Sequence, residues 1–154
     1  MKIIFLDIDG VLNHQGMSNE DWTKYGTCGG SIDPKSVKVL NDFTDETGAK
    51  IVVSSTWRLD GLDRVRKALE EAGVMAGIID ITPRFTHPGY VRGNEIKCWL
   101  DAKTDVETYV ILDDDSDMLY PQRFNFINVD PYVGLTYRDT FRAGQIFKGL
   151  SLIC

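Results

Sequence analysis

The chain alternates short apolar, β-branched runs with longer segments whose apolar residues recur every three or four positions. The first kind reads as strand and the second as amphipathic helix. Strands are expected over 2–8 (KIIFLDI), 50–55 (KIVVSS), 77–81 (GIIDI), 108–114 (TYVILDD) and 124–129 (FNFINV). The first, second and fourth are almost continuously apolar, as central parallel strands buried on both faces should be. Four helical segments lie between and after them. In 31–48, Asp33 is placed to cap the helix, Pro34 suits its first position, Val37, Leu40 and Phe43 share a face, and Gly48 stops it. In 59–73, Leu62, Val65 and Leu69 turn inward, Glu70 and Glu71 outward, and Gly73 ends the pattern. A third segment, 93–102, buries Ile96, Trp99 and Leu100, and a fourth covers 136–150. Strands alternating with helices predict one α/β domain over 1–154, a mostly parallel sheet of about five strands covered by helices.

Two segments break the alternation. Residues 13–31 are polar and glycine-rich, and residues 82–93 carry two prolines and two arginines. Both exceed the usual connection of about 4–6 residues, and both are expected to be functional loops. Trp22, Tyr25 and Tyr90 read as residues that pack these loops rather than as base-stacking platforms, and His14 and His87 as loop residues without a zinc role.

Composition narrows the classes of function. A net charge of -6 argues against broad electrostatic binding of nucleic acid, although a local basic site remains compatible with it. Cys28, Cys98 and Cys154 are widely spaced and without a metal-site pattern, so they are expected to be free thiols in a reducing cytoplasm. No apolar run approaches the ~20 residues of a membrane span, and nothing in the pattern points to an obligate protein partner.

The chemistry gathers at strand ends. The first strand runs into Asp7 and Asp9 and breaks at Gly10; the second ends in Ser54, Ser55 and Thr56, with Arg58 close behind; the fourth ends in Asp113, Asp114, Asp115 and Asp117. By strand alternation Asp7 and Asp9 would face the same side. Open parallel sheets bind ligands at the carboxyl ends of their strands. Carboxylates crowded there without compensation repel one another, so a cation is implied, and a set of oxygen ligands suits Mg2+. Arg58 reads either as the solvated start of the next helix or as a substrate contact.

Taken together, "DIDGV", "SST" and "LDD" resemble the motifs of the haloacid dehalogenase superfamily, and "SSTWR", "RGNEI" and "GLT" are similar to the small phosphatase-type domains associated with RNA repair proteins. The resemblance implies a Rossmann-like three-layer sandwich with no large cap domain. It implies Asp7 as nucleophile and Asp9 as general acid/base, Ser54, Ser55 and Arg92 as phosphate-binding residues, and Mg2+ held by Asp7, the Asp9 carbonyl and the Asp113–Asp114 pair. For the basic motif Arg92 is preferred and Lys97 is the alternative; within the acidic pair Asp114 is favoured as the ligand, with Asp113 assisting. The implied activity is phosphomonoester hydrolysis, with a nucleic-acid 3'-phosphate end as lead substrate. A nucleotide or small metabolite, or a phosphoacceptor or binding domain without turnover, are the alternatives.

Overall fold

Strand β1 (Lys2–Leu6) has no water on either face: Ile3, Ile4, Phe5 and Leu6 are fully buried. Such a strand can only sit at the centre of a sheet, and the computed structural model, which describes residues 1–24, 26–27 and 30–150, puts it there. The helix α1 (Asn19–Lys24) and the two-residue strands β2 (Gly26–Thr27) and β3 (Gly30–Ser31) follow it. Then come α2 (Pro34–Thr47), β4 (Lys50–Val53), α3 (Leu62–Glu71), β5 (Ile78–Ile81), α4 (Arg92–Asp101), β6 (Thr108–Asp113), β7 (Phe126–Asn128) and α5 (Tyr137–Phe147). The large sheet has the order β5-β4-β1-β6-β7 with every pairing parallel. The chain builds outward from β1 on one side and then crosses to the other, so the strand order reverses between β1 and β6, where α/β sheets open a crevice.

Alternation along the strands divides the core into two layers. Ile4, Leu6, Ile51, Val53, Val110 and Leu112 pack with Val37, Leu40 and Phe43 of α2, Val65 and Leu69 of α3, and Ala143 of α5. Ile3, Phe5, Val52 and Ile111 face the other way, against Ile96 and Trp99 of α4, with the Trp99 ring edge-on to Phe5 at 5.4 Å. Helix α2 is bounded as its sequence requires: the Asp33 carboxylate accepts from Lys35 N, Pro34 opens the helix, and Gly48 closes it at φ 68°.

Three expectations need correction. Residues 13–31 are not simply loop: their described residues include α1 and the antiparallel β2–β3 pair. The signal is a local cap, in which Ser18 Oγ donates to Asp21 Oδ2 at 2.8 Å and accepts from Asp21 N at 3.1 Å. The last strand is shorter than 124–129, because Tyr120–Phe124 form a 3-10 turn around Pro121 before Phe126 enters the sheet. Residues 56–60 likewise form a 3-10 turn, and α3 starts only at Leu62.

Arg58 is neither solvated nor free for substrate. It is buried, and its guanidinium donates to the carbonyls of Ser54 at 2.9 Å, Ser55 at 2.8 Å and Thr82 at 3.1 Å, while pairing with the buried Glu95 of α4. Glu95 also accepts from Phe85 N at 2.9 Å. One side chain thus ties the ends of β4 and β5 to the first turns of α4. Burial pulls the Arg58 pKa down, only partly offset by Glu95, and the nearby Arg92 and Arg84 lower it further. Removing one member of a buried pair strands the other, so Arg58→Ala is expected to cost about 3–5 kcal/mol in urea unfolding. The double change Arg58→Met with Glu95→Leu is expected to recover only part of that loss, because the carbonyls of Ser54, Ser55 and Thr82 and the N–H of Phe85 still lose their partners.

Candidate active site

The parallel register sets the site. Leu6 pairs with Val53 on one side and Leu112 on the other. One residue further, Asp7 N donates to Leu112 O and Ser54 N to Leu6 O, each at 3.0 Å, so Asp7 stands between Ser54 and Asp113 at the strand ends. Asp7 has the parity of Ile3 and Phe5 and faces the α4 side. There, Arg92 at the start of α4 reaches it: Arg92 Nη1 donates to Asp7 Oδ1 at 3.0 Å and to Asp113 Oδ2 at 3.2 Å. All three groups are largely or wholly buried, with side-chain exposures of 17% for Arg92, 9% for Asp7 and 1% for Asp113.

Arg92 owes its place to the N-terminus of α4. Its backbone N donates to Asp117 Oδ2 at 3.2 Å, and Gly93 N donates to Asp117 O at the same distance. Gln122 Nε2 donates to Gly93 O at 2.9 Å. A Cβ on Gly93 would lie 2.4 Å from Leu119 N and 2.5 Å from Gln122 Oε1, so only glycine permits this approach. Lys97, the alternative basic residue, is exposed one turn further on and pairs with Asp101.

Oxygens of Asp7, Asp113 and Asp114 all lie within 4.8 Å of one another, and this is the only such carboxylate group among the described residues. Burial and then the neighbouring Asp7 push Asp113 up to about 8. Asp114 is pushed up to about 6, again by burial first and then by a hydrogen bond and charge from Asp7. Arg92 is raised because Asp113 and Asp7 outweigh its own burial. Such a cluster, all oxygen and short of positive charge, fits a divalent cation such as Mg2+. Asp113 already accepts from Arg92 and from Asp115 N, whereas Asp114 is only half-buried. Asp114 therefore has the more available oxygens. Its side chain crosses directly over Gly10, where a Cβ would fall 2.5 Å from Asp114 Cγ and φ is 84°. The glycine of the DxDG motif makes room for the second acid of the LDD motif.

Asp9 does not share the face of Asp7. The strand stops at Leu6, and the chain folds over the Ile8 carbonyl, which accepts from Val11, Leu12 and Asn13 N. Alternation ends with the strand, and the Asp9 side chain is exposed, outside the three-carboxylate group. Its two oxygens are held instead, Oδ1 by Asn13 Nδ2 at 2.8 Å and Oδ2 by Trp57 Nε1 at 3.0 Å. Asn13, itself buried, also accepts from Gly10 N at 3.0 Å and donates to Ser31 O at 3.1 Å. Trp57 stands within the SSTWR motif but without an assigned role, and Asn13 had no motif to mark it; only the fold brings both to Asp9.

The two serines differ. Ser54 Oγ is buried beside Asp7 and has no hydrogen-bond partner, an unmet polar group at the strand end. Ser55 Oγ accepts from Trp57 N at 3.3 Å and caps the 3-10 turn, which accounts for its side chain structurally. His14 Nε2 lies 2.7 Å from Asp33 Oδ2 and pins the 13–31 segment to α2, while His87 is exposed. Cys98 is a free, exposed thiol; Cys28, Cys154 and Tyr25 lie outside the described residues. Among the described residues no helix is long and apolar enough to cross a membrane.

A parallel Rossmann-like sheet with an aspartate at the end of its central strand, an acidic pair ending the next strand and a basic residue at the intervening helix is the arrangement of a domain of haloacid dehalogenase type. The chain belongs to the family described as the HAD domain in Swiss Army Knife RNA repair proteins, whose model matches residues 3–140. No curated protein and no solved structure matches it.

The raised carboxyl groups give a direct test of cation binding. Asp113 has a folded pKa above its ordinary 3.8, so its contribution to stability is present at low pH and lost as pH rises toward about 8. In EDTA the Tm is expected to fall across that range, and Asp113→Asn to flatten the fall. Mg2+ competes with these protons, so its stabilisation is expected to be larger near pH ~8 than near pH ~5 in thermal melts.

Proposed function

We propose that the protein is a Mg2+-dependent phosphomonoester hydrolase that works through an aspartyl phosphate on Asp7, with nucleic-acid 3'-phosphate ends as its substrate class. The observation that carries the reading is Arg92 Nη1 bridging Asp7 and Asp113 at the end of the central strand, beside the unpartnered Ser54 hydroxyl. A carboxylate gripped on one oxygen keeps its other oxygen for attack, and the guanidinium beside it is placed to bind the oxygens of an arriving phosphoryl group.

In the first step Asp7 attacks phosphorus, the bond to the leaving oxygen breaks, and Asp9 gives that oxygen a proton. In the second, Asp9 takes a proton from water as the water attacks the aspartyl phosphate, releasing phosphate and restoring Asp7. Asn13 and Trp57 hold Asp9 between steps, and one of its oxygens must be freed from them to reach the leaving group. Arg92 and Ser54 hold phosphoryl oxygens throughout. Asp7 and Asp114, with Asp113 and the Asp9 carbonyl assisting, would hold Mg2+, which would supply the positive charge that lets two anions approach.

The substrate class rests on family membership and on the shape of the site. The cleft that adjoins the carboxylates at Arg92, lined by Arg92 but not by Asp7, Asp113 or Asp114, is about 220 Å3, smaller than the ~300–1,000 Å3 of pockets that enclose a small ligand, and it is open. That favours one end of a larger molecule over a metabolite or free nucleotide. Phosphate release from an aryl phosphate and from 3'- and 5'-phosphorylated oligonucleotides, with and without Mg2+, tests the reading. Asp7→Asn is expected to lower kcat by about 10^3-fold or more, and Asp9→Asn by about 10^2–10^4-fold. Turnover that survives Asp7→Asn would remove the covalent mechanism; stable phosphorylation without turnover would make the domain a phosphoacceptor.

A further inference from the structure

The open cleft that adjoins the carboxylates at Arg92 is otherwise lined by residues that the chemistry above does not use. They include Arg84, Phe85 and Tyr90 of the 82–91 loop and Thr56 and Leu59 of the 3-10 turn. Tyr90 is 54% exposed. Its ring is backed by Phe85, with centroids 5.1 Å apart, and by His87 at 5.4 Å. The three rings form a supported aromatic surface. Phe85 is in turn anchored through its N–H to Glu95, the partner of Arg58, so the platform is fixed to the same brace that positions the strand ends.

Charge points the same way. The chain carries -6 overall, yet three guanidiniums gather here. Arg92 is engaged by Asp7 and Asp113 and Arg58 by Glu95, whereas Arg84 is exposed and, among the described residues, has no carboxylate within ion-pair distance. An exposed arginine and an exposed ring beside a phosphate-handling centre are what a single strand needs: a cation for the backbone and a face for a base.

Resting on the phosphatase reading above, we infer that Arg84 and Tyr90 form a subsite for the strand that carries the terminal phosphate. Tyr90 stacks the terminal base, and Arg84 meets the next backbone phosphate inward. The subsite takes a single-stranded end, whose terminal base is free to turn out of its stack onto Tyr90, whereas pairing in a duplex holds that base in place. The sequence favoured Tyr90 as a loop-packing residue; it does contact Phe85 and His87, yet about half of it stays exposed and it lines the cleft.

The test is fluorescence anisotropy with labelled single-stranded oligonucleotides, RNA and DNA, ending in 3'-phosphate or 3'-hydroxyl, in Mg2+ with Asp7→Asn to prevent turnover. Tyr90→Ala and Arg84→Ala in that background are each expected to raise Kd about tenfold, Tyr90→Phe to bind like its parent, and pre-annealing the 3' end into a duplex to weaken binding. In the protein with Asp7 intact, the same two alanine changes are expected to raise KM for the 3'-phosphorylated oligonucleotide far more than they lower kcat. Binding unmoved by both alanine variants, or unaffected by pre-annealing, would overturn the subsite. An enzyme that hydrolyses aryl phosphate but binds no oligonucleotide would overturn it too, leaving the phosphatase reading intact. Oligonucleotide binding that depends on Arg84 and Tyr90 without turnover of any phosphomonoester would do the reverse.

Discussion

The structure depends on how it answers the charge at the end of β1. Asp7, Asp113 and Asp114 bring three carboxylates within 4.8 Å, and a single guanidinium, Arg92, faces them. The imbalance is two negative charges, the charge of one divalent cation. Without a cation the protein answers with protons: burial first, and the neighbouring Asp7 second, hold Asp113 and Asp114 above the ordinary carboxylate range. A divalent cation held by these carboxylates would replace those protons, so in the reading proposed above metal binding and ionisation of the acidic cluster are one event in charge terms.

Keeping that balance requires Arg92 to stay where it is, and much of the surrounding architecture serves this. The first turn of α4 is docked on Asp117 and Gln122 through a glycine that permits near-contact, and the buried Arg58–Glu95 pair joins its next turn to the ends of β4 and β5. Arg58 spends its hydrogen bonds on the carbonyls of Ser54, Ser55 and Thr82, which have no further strand to pair with. The same contacts that satisfy those carbonyls fix the position of Ser54 beside Asp7.

Much of this was legible in the sequence, for identifiable reasons. Continuous apolar runs marked β1, β4 and β6 as central, and their carboxyl ends marked the site, because parallel sheets leave few other places for buried strands to end. The N-cap, proline and glycine of α2 fixed its bounds within a few residues. What could not be read was anything decided by contacts between distant segments. Arg58 looked like a surface residue because nothing local shows that Glu95, thirty-seven positions on, will neutralise it. Asn13 and Trp57 meet only across the turn after β1. Asp9 was expected beside Asp7 because period-two alternation was carried past the end of the strand, where the Ile8 carbonyl takes over. The α1 cap signature was present at Ser18 and Asp21, but a six-residue helix that buries none of its residues leaves no apolar period to notice.

The two sides of Asp7 are built from different materials. On one side lies Asp9, held by neutral donors, with the Trp57 ring beneath β3 so closely that a Cβ on Gly30 would approach it to 2.8 Å. That side is tied to the 13–31 segment, because Asn13, which holds Asp9, also donates to Ser31 O. On the other side lie Arg92 and, beyond it, the 82–91 loop, tied through Phe85 N and Glu95 to the Arg58 brace. The two supports meet in the 3-10 turn, where Trp57 holds Asp9 and its neighbour Arg58 forms the brace behind Arg92. In the reading proposed above Asp9 has to give and then take a proton, which needs freedom to turn, and the hydrogen bonds from two uncharged donors that hold this exposed side chain can be exchanged for water. Arg92 has instead to keep two carboxylates in register, and it stands among buried ion pairs whose disruption is expensive. The stiffness around Asp7 is uneven in the way those two tasks require.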